Sequence, residues 1–202
     1  MKYPFVELLT GVIFYLAAVQ SGNEVMFLKN LVFLSAMIVV IFTDLEHMII
    51  PDAVTLPLVG AGIVFAALPH AAHAAGLQVA PVTPGVREAV LAAAAGFGGF
   101  YALAVFGELL MKTEAMGGGD IKLAAGMGAF LGWQMLLLGL FLAFFLGSVI
   151  GIALMAFRGG GVRRQQLPFG PMMAAGGIIA VFYTAPLIQW YTSMLDRIWS
   201  MT

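Results

Sequence analysis

Residues 25–43 read VMFLKNLVFLSAMIVVIFT, and Asp44 follows directly. The run carries one charge, Lys29, over a length that suits a membrane-spanning helix, which needs about 17 to 25 mostly apolar residues. The rest of the chain has the same character. Its 202 residues hold 10 acidic and 9 basic side chains, so charged residues are 9% of the total, against roughly a quarter in a soluble domain. Hydrophobic residues make up 62% and the mean hydropathy is +1.02. A soluble globular fold is excluded, because a domain of this size needs more polar surface than the chain could present to water. Intrinsic disorder is excluded with it, and a net charge of -1 argues against nucleic acid as a partner. With no cysteine, disulfides, thiolate metal sites and a cysteine nucleophile are excluded too. The expected fold is an all-α polytopic membrane helix bundle, a single domain over residues 1–202 embedded in a lipid bilayer.

About seven helical segments can be marked. The first runs from about Phe5 to Gln20, the second from Val25 to Thr43 and the third from Ala53 to Leu68. Residues 69–86 read as a loop, since Pro69, Pro81 and Pro84 would break a helix. The fourth runs from Arg87 to Met111. After Met116-Gly117-Gly118-Gly119, a short fifth helix covers Asp120 to Leu131 and a sixth Gln134 to Phe157. Past the Gly- and Arg-rich loop Arg158 to Gln166, the seventh covers Pro168 to Tyr191.

Lys2, Lys112, Lys122, Arg158, Arg163 and Arg164 fall at one set of ends, and Lys29, Arg87 and Arg197 nearer the other. Positive charge gathers on the cytoplasmic side. The N-terminus, the loop after helix two, the Gly-rich loop and the Arg loop are therefore expected in the cytoplasm. The short fifth helix is the weak point, because failure to cross would flip everything after it. The start shows no cleavable signal. Small residues recur at four-residue spacing in Ala92 and Gly96, Ala95 and Gly99, Gly128 and Gly132, Gly147 and Gly151. Such pairs let helix backbones approach closely in lipid.

With so few charges, each ionisable group near the membrane is a candidate for function. Asp44, Glu46 and Asp52 follow helix two, while Glu108, Glu114 and Asp120 surround the Gly-rich loop. Taken singly, Asp44 could mark the end of a span and Asp120 could be a helix N-cap. Taken together they suggest an aspartyl protease. Two close carboxylates share one proton, so that one activates water and the other protonates the scissile carbonyl or leaving amine. Glycines before Asp120 would allow an unusual backbone and close approach to an extended substrate. The two acids lie on different helices, and only the fold can bring them together.

The run Asp44-Leu-Glu-His-Met-Ile-Ile-Pro51-Asp52, followed by Thr55-Leu56-Pro57, resembles the first signature of the type IV prepilin peptidases. Gly117-Gly118-Gly119-Asp120-Ile-Lys122 resembles the second, the G-x-G-D motif of intramembrane aspartyl proteases. Three further matches are Tyr3 to Gly11, Gly126 to Gln134 (GMGAFLGWQ) and Leu167-Pro168-Phe169-Gly170-Pro171. A bare G-x-G-D is weak; five ordered motifs covering almost the whole chain are specific.

The resemblance implies a multi-pass endopeptidase of the bacterial inner membrane that cuts the short basic leader from type IV prepilins and from pilin-like subunits of type II secretion systems. It passes the catalytic roles to Asp44 and Asp120, needs no metal, and needs no cofactor for proteolysis. Asp52 is the accompanying acid, and it also reads as the N-cap of helix three. Gly117, Gly119, Asp52 and Lys122 are expected to support the site or touch substrate. Lys122 could keep Asp120 ionised or snorkel to headgroups. The dipoles of their own helices would favour an ionised Asp120 and a protonated Asp44.

The remaining charges have simpler readings. Glu46, Glu108 and Glu114 could attract a basic leader. Glu7 suits the dipole of an opening turn, and Arg158, Arg163 and Arg164 mark topology and anionic lipid. His70 and His73 have metal-like spacing but no third ligand nearby, and His47 is an interfacial histidine close to Asp44.

Larger members of the resembled family carry a zinc domain with paired C-x-x-C motifs and methylate the new N-terminus with S-adenosylmethionine. This chain has no cysteine and starts at the motif that would follow that domain, so S-adenosylmethionine enters only if methylation is retained. The alternative from another class is a small proton- or cation-coupled transporter using Asp44, Asp52 and Asp120, which would place acids at mid-span and show an internal repeat. A third is a non-catalytic assembly protein of a pilus machine. The presenilin type is excluded for want of a Tyr-Asp and a Pro-Ala-Leu.

Overall fold

A computed structural model describes residues 3–76, 84–112, 116–157 and 168–199. They form six helical elements: α1 (Tyr3–Gln20), α2 (Glu24–His47), α3 (Asp52–Ala74), α4 (Val86–Met111), α5 (Gly118–Phe157) and α6 (Gly170–Trp199). Gly132 interrupts α5 with φ 69° and ψ -178°, a conformation that only glycine adopts readily. The break makes seven helical segments, as the sequence implied. α2, α3, α4 and α5 are long and apolar enough to cross a membrane; α1 and α6 supply shorter apolar stretches. Leu8, Tyr15, Val64, Phe106, Phe141 and Ile152 lie exposed on the outside, as lipid-facing side chains do.

The chain reverses at Gly132. Glu88 of α4 faces Gly132, Ala92 faces Gly128, and Gly96 faces Ala124, so α4 and the first part of α5 run antiparallel. Past the break, Gly139 packs on Gly176 and Gly147 on Phe169, bringing the chain back to the end where α5 began. Residues 118–131 span only about 21 Å at 1.5 Å per residue, less than the hydrocarbon thickness. They need no more, because Ile121 and every residue from Leu123 to Gly132 are buried among the other helices. The fifth helix runs through the bundle as its central column, from the end that holds Gly119 and Ile50 to the end that holds Glu88.

Close backbone approach depends on two of the expected small-residue pairs. A Cβ on Gly96 would strike the Ala124 carbonyl and one on Gly128 the Ala92 carbonyl. Ala95 and Gly99 are exposed and Gly151 meets nothing. Around this seam Phe33, Met37, Met127, Phe130 and Met173 form the core, with the Phe33 and Phe130 ring centroids 5.5 Å apart.

One expected loop is helix. α3 continues through Pro69 to Ala74, with Pro57 and Pro69 inside it. Proline removes one hydrogen bond, but ending a helix within hydrocarbon would leave several backbone groups without partners. His70 and His73 therefore lie on a helix, while Pro81 falls outside the described residues.

Candidate active site

α2 starts at Asn23, whose side chain accepts the Met26 N–H at 2.8 Å. It ends at Met48, which is left-handed with φ 53° and returns its N–H to the Asp44 carbonyl. Asp44 is thus in the last turn of the helix, and it is 5% exposed rather than an acid in the headgroup layer. Its Oδ2 accepts the backbone N–H of Gly170 at 2.9 Å. Gly170 opens α6, so this N–H has no partner within its own helix. Asp44 caps α6 from another element, and a Cβ on Gly170 would lie 2.6 Å from Oδ2.

Asp120 is not the N-cap that its position after three glycines suggested. α5 begins at Gly118, the Asp120 N–H reaches the Gly117 carbonyl, and the Asp120 carboxylate folds back to accept the Gly117 N–H. This is the reciprocal half of a capping box. No glycine of the motif has a left-handed φ. Gly119 serves packing, since a Cβ there would lie 2.9 Å from Ile50 Cβ. Oδ1 of Asp120 is buried and no protein group donates to it among the described residues. Asp44 and Asp120, 76 positions apart in the chain, come to the same end of the bundle. Ile50 ties them together: it packs against both Gly119 and Gly170.

Asp52 also departs from its expected role. Pro51 occupies the cap position without a side-chain bond, and Asp52 begins α3 with both carboxylate oxygens 2.7 Å from Lys122 Nζ. Lys122 therefore pairs with Asp52 and joins the first turns of α3 and α5. Glu7 lies in the second turn of α1 and is exposed, as are Glu46, His47 and Glu108. Glu114, Arg158, Arg163 and Arg164 fall outside the described residues.

Sequence reading missed two contributors. Gly170 belongs to a quoted motif, and its place just before Pro171 at a helix start was the available signal. Ile50 gave none, because its importance lies wholly in contacts across the fold.

Among the described residues no three His, Cys, Asp or Glu side chains could share a metal ion. A cavity of about 900 Å³ is lined by His70, Arg87, Glu88, Leu91 and Trp133. It lies at the opposite end of the bundle from Asp44 and Asp120.

The chain is similar to proteins of one known family. The type IV leader peptidase family model matches residues 31–152, a span that contains both aspartates. The prepilin leader peptidase/N-methyltransferase of Aeromonas salmonicida (strain A449) is 34% identical over 194 residues, 96% of this chain and 62% of that protein. Its namesake from Legionella pneumophila is 34% identical over 95% of this chain and 62% of its own length. That of Bacillus subtilis (strain 168) is 34% identical over 95% of this chain and 70% of its own length. The chain spans under two thirds of the first two of these relatives. No solved structure matches it.

Proposed function

The chain belongs to the type IV leader peptidase family, and on that premise we propose that it is an aspartic endopeptidase of the bacterial inner membrane. Its substrates are type IV prepilins and pilin-like secretion subunits, from which it removes a short basic leader at the cytoplasmic face. The observation that supports this reading is that Asp44 and Asp120, on two different helices, lie at the same end of the bundle, linked through Gly170 and Ile50. Acids at one end, rather than at mid-span, favour hydrolysis over a proton relay through the membrane.

The pair works by sharing one proton. The ionised carboxylate takes a proton from water as the water oxygen bonds to the scissile carbonyl carbon, while the protonated carboxyl gives its proton to the carbonyl oxygen. The tetrahedral diol then collapses: the carboxyl that took the water proton gives it to the leaving nitrogen as the C–N bond breaks, the other carboxylate takes a proton from a diol hydroxyl as the C=O bond reforms, and the dyad again holds one proton. The Gly170 and Gly117 N–H groups hold the two carboxyls in place. The pair accounts for hydrolysis and supplies nothing to a methyl transfer, so S-adenosylmethionine has no part in this step.

The test is to incubate the purified protein with pilin precursors and identify products by mass spectrometry. Cleavage is expected after a leader glycine and is abolished by Asp44→Asn and by Asp120→Asn. Retained cleavage in either variant would remove that residue from the dyad.

A further inference from the structure

α1 ends at Gln20, and the turn Ser21-Gly22-Asn23 leads into α2 at the end of the bundle away from Asp44. Lipid-exposed turns do not occur within hydrocarbon, so this turn marks the membrane boundary on that side. α6 reaches nearly the same level, because the Gln20 side-chain amide donates to the Phe182 carbonyl at 2.9 Å. The bond has a chemical reason. Pro186 lies inside α6 and has no N–H, so the carbonyl four residues back, that of Phe182, loses its helical partner and Gln20 supplies another donor.

α6 continues past this boundary to Trp199. Its apolar stretch ends at Thr184, which is buried, and each side chain described after it, as far as Met194, is exposed. Continued straight, residues 187–199 would stand about 20 Å clear of the bundle. Their pattern argues against that. Leu187, Trp190, Tyr191 and Met194 follow the helical spacing i, i+3, i+4, i+7 and are 44–63% exposed, while Gln189, Thr192 and Ser193 take the other side. Such a stripe is unfavourable in water, where a helix this short is itself marginal. Tyr183 stands one turn before Leu187 on the same face and is also exposed, so the stripe continues the lipid-facing side of α6.

We infer that residues 187–199 are an arm hinged at Pro186, lying in the headgroup layer of the leaflet opposite the dyad, with Leu187, Trp190, Tyr191 and Met194 turned toward the acyl chains. Bending outward at the hinge lays the lipid-facing side of α6 down onto the bilayer. Trp and Tyr suit this depth, since their rings have both an apolar body and a polar edge. The arm thereby anchors the far end of the helix whose first N–H holds Asp44.

The chain has no cysteine, so Leu187→Cys, Gln189→Cys, Thr192→Cys and Met194→Cys each give one site for a nitroxide label at an exposed position. The purified protein is placed in vesicles of phosphatidylethanolamine and phosphatidylglycerol. Labels in Leu187→Cys and Met194→Cys are expected at one depth, about 5–10 Å into the headgroup boundary, accessible to oxygen and shielded from an aqueous nickel chelate. Those in Gln189→Cys and Thr192→Cys are expected to meet the chelate. Chelate access that climbs steadily from Leu187→Cys to Met194→Cys means a straight helix leaving the membrane and overturns the inference. Four labels equally shielded mean a spanning helix and overturn it as well. Spin–spin broadening that disappears on dilution with unlabelled protein would put a second copy on the stripe, with the same consequence. If a label unsettles the arm, Trp133→Phe with Trp199→Phe leaves Trp190 as the one tryptophan. Its fluorescence is expected to be quenched most by lipids brominated close to the headgroup; strongest quenching at the chain ends, or none, overturns the inference.

Discussion

Gly170 gives its backbone N–H to Oδ2 of Asp44 at 2.9 Å, across 126 positions of sequence. One bond thus joins the end of α2 to the start of α6 and holds a candidate catalytic carboxyl. It also changes the electrostatics of the pair. Asp44 is disfavoured as an anion by its own helix, yet it faces the N-terminus of α6, where an anion is favoured. Both aspartates therefore meet a helix N-terminus, and the asymmetry expected from their own helices is removed.

Gly170→Ala tests the role of that contact. Its Cβ would lie 2.6 Å from Asp44 Oδ2 and 2.9 Å from Ile50 Cδ1, so the carboxyl must move. We expect kcat to fall on the order of 100-fold, the effect of misplacing a reacting group by about 1 Å, while the helical circular dichroism stays that of wild type. Activity near wild type would mean that Asp44 tolerates the shift.

Asp52→Asn separates the accompanying acid from the dyad. Its partner Lys122 leaves both side chains partly exposed, at 36% and 57%, so the ion pair contributes under about 1 kcal/mol after solvent screening. Cleavage should persist at a measurable rate in Asp52→Asn and be absent in Asp44→Asn. Thermal melts should show the small Asp52 effect fading as salt is raised to 1 M, where screening shortens to about 3 Å.

Gly132→Ala probes the chain reversal. A Cβ there would lie 2.6 Å from Glu88 Oε1 and 2.9 Å from Pro84 Cβ, in a backbone conformation that strains any other residue. Strain and overpacking should together cost about 2–4 kcal/mol, read as a lower melting point in detergent. Glu88→Ala, which removes the carboxylate accepting the Trp133 N–H at 3.3 Å, should cost about 1 kcal/mol, like loss of an N-cap. Two unchanged melting points would dissociate Glu88 from the break.

Met48→Gly should stabilise. Met48 is 55% exposed and sits at φ 53°, so little packing is lost and left-handed strain is relieved. After the added chain entropy of glycine, a gain of about 0.5–1 kcal/mol is expected. A fall in melting point would show that the methionine side chain contributes packing that outweighs the strain.

The helices were legible in the sequence because hydropathy is a local property and lipid demands apolar spans. Val25 to Thr43 needed no neighbour to be read as one, and the short fifth and longer sixth segments were separable on either side of Gly132. The motifs around Asp44 and Asp120 were legible for the same reason. Local rules failed where a distant partner decided. Pro69 stays inside α3, packed and buried against its neighbours. Asp52 is drawn from capping to Lys122, and Asp120 turns back to Gly117. The sequence by itself determined a membrane bundle with scarce acids at its helix ends. Only the tertiary structure decided which acids meet, because their approach depends on Gly96 and Gly128 letting α4 and α5 touch backbone to backbone and on Ile50 and Gly170 closing the gap from the other side. Such contacts depend on shape between distant segments, and composition along one segment carries no record of them.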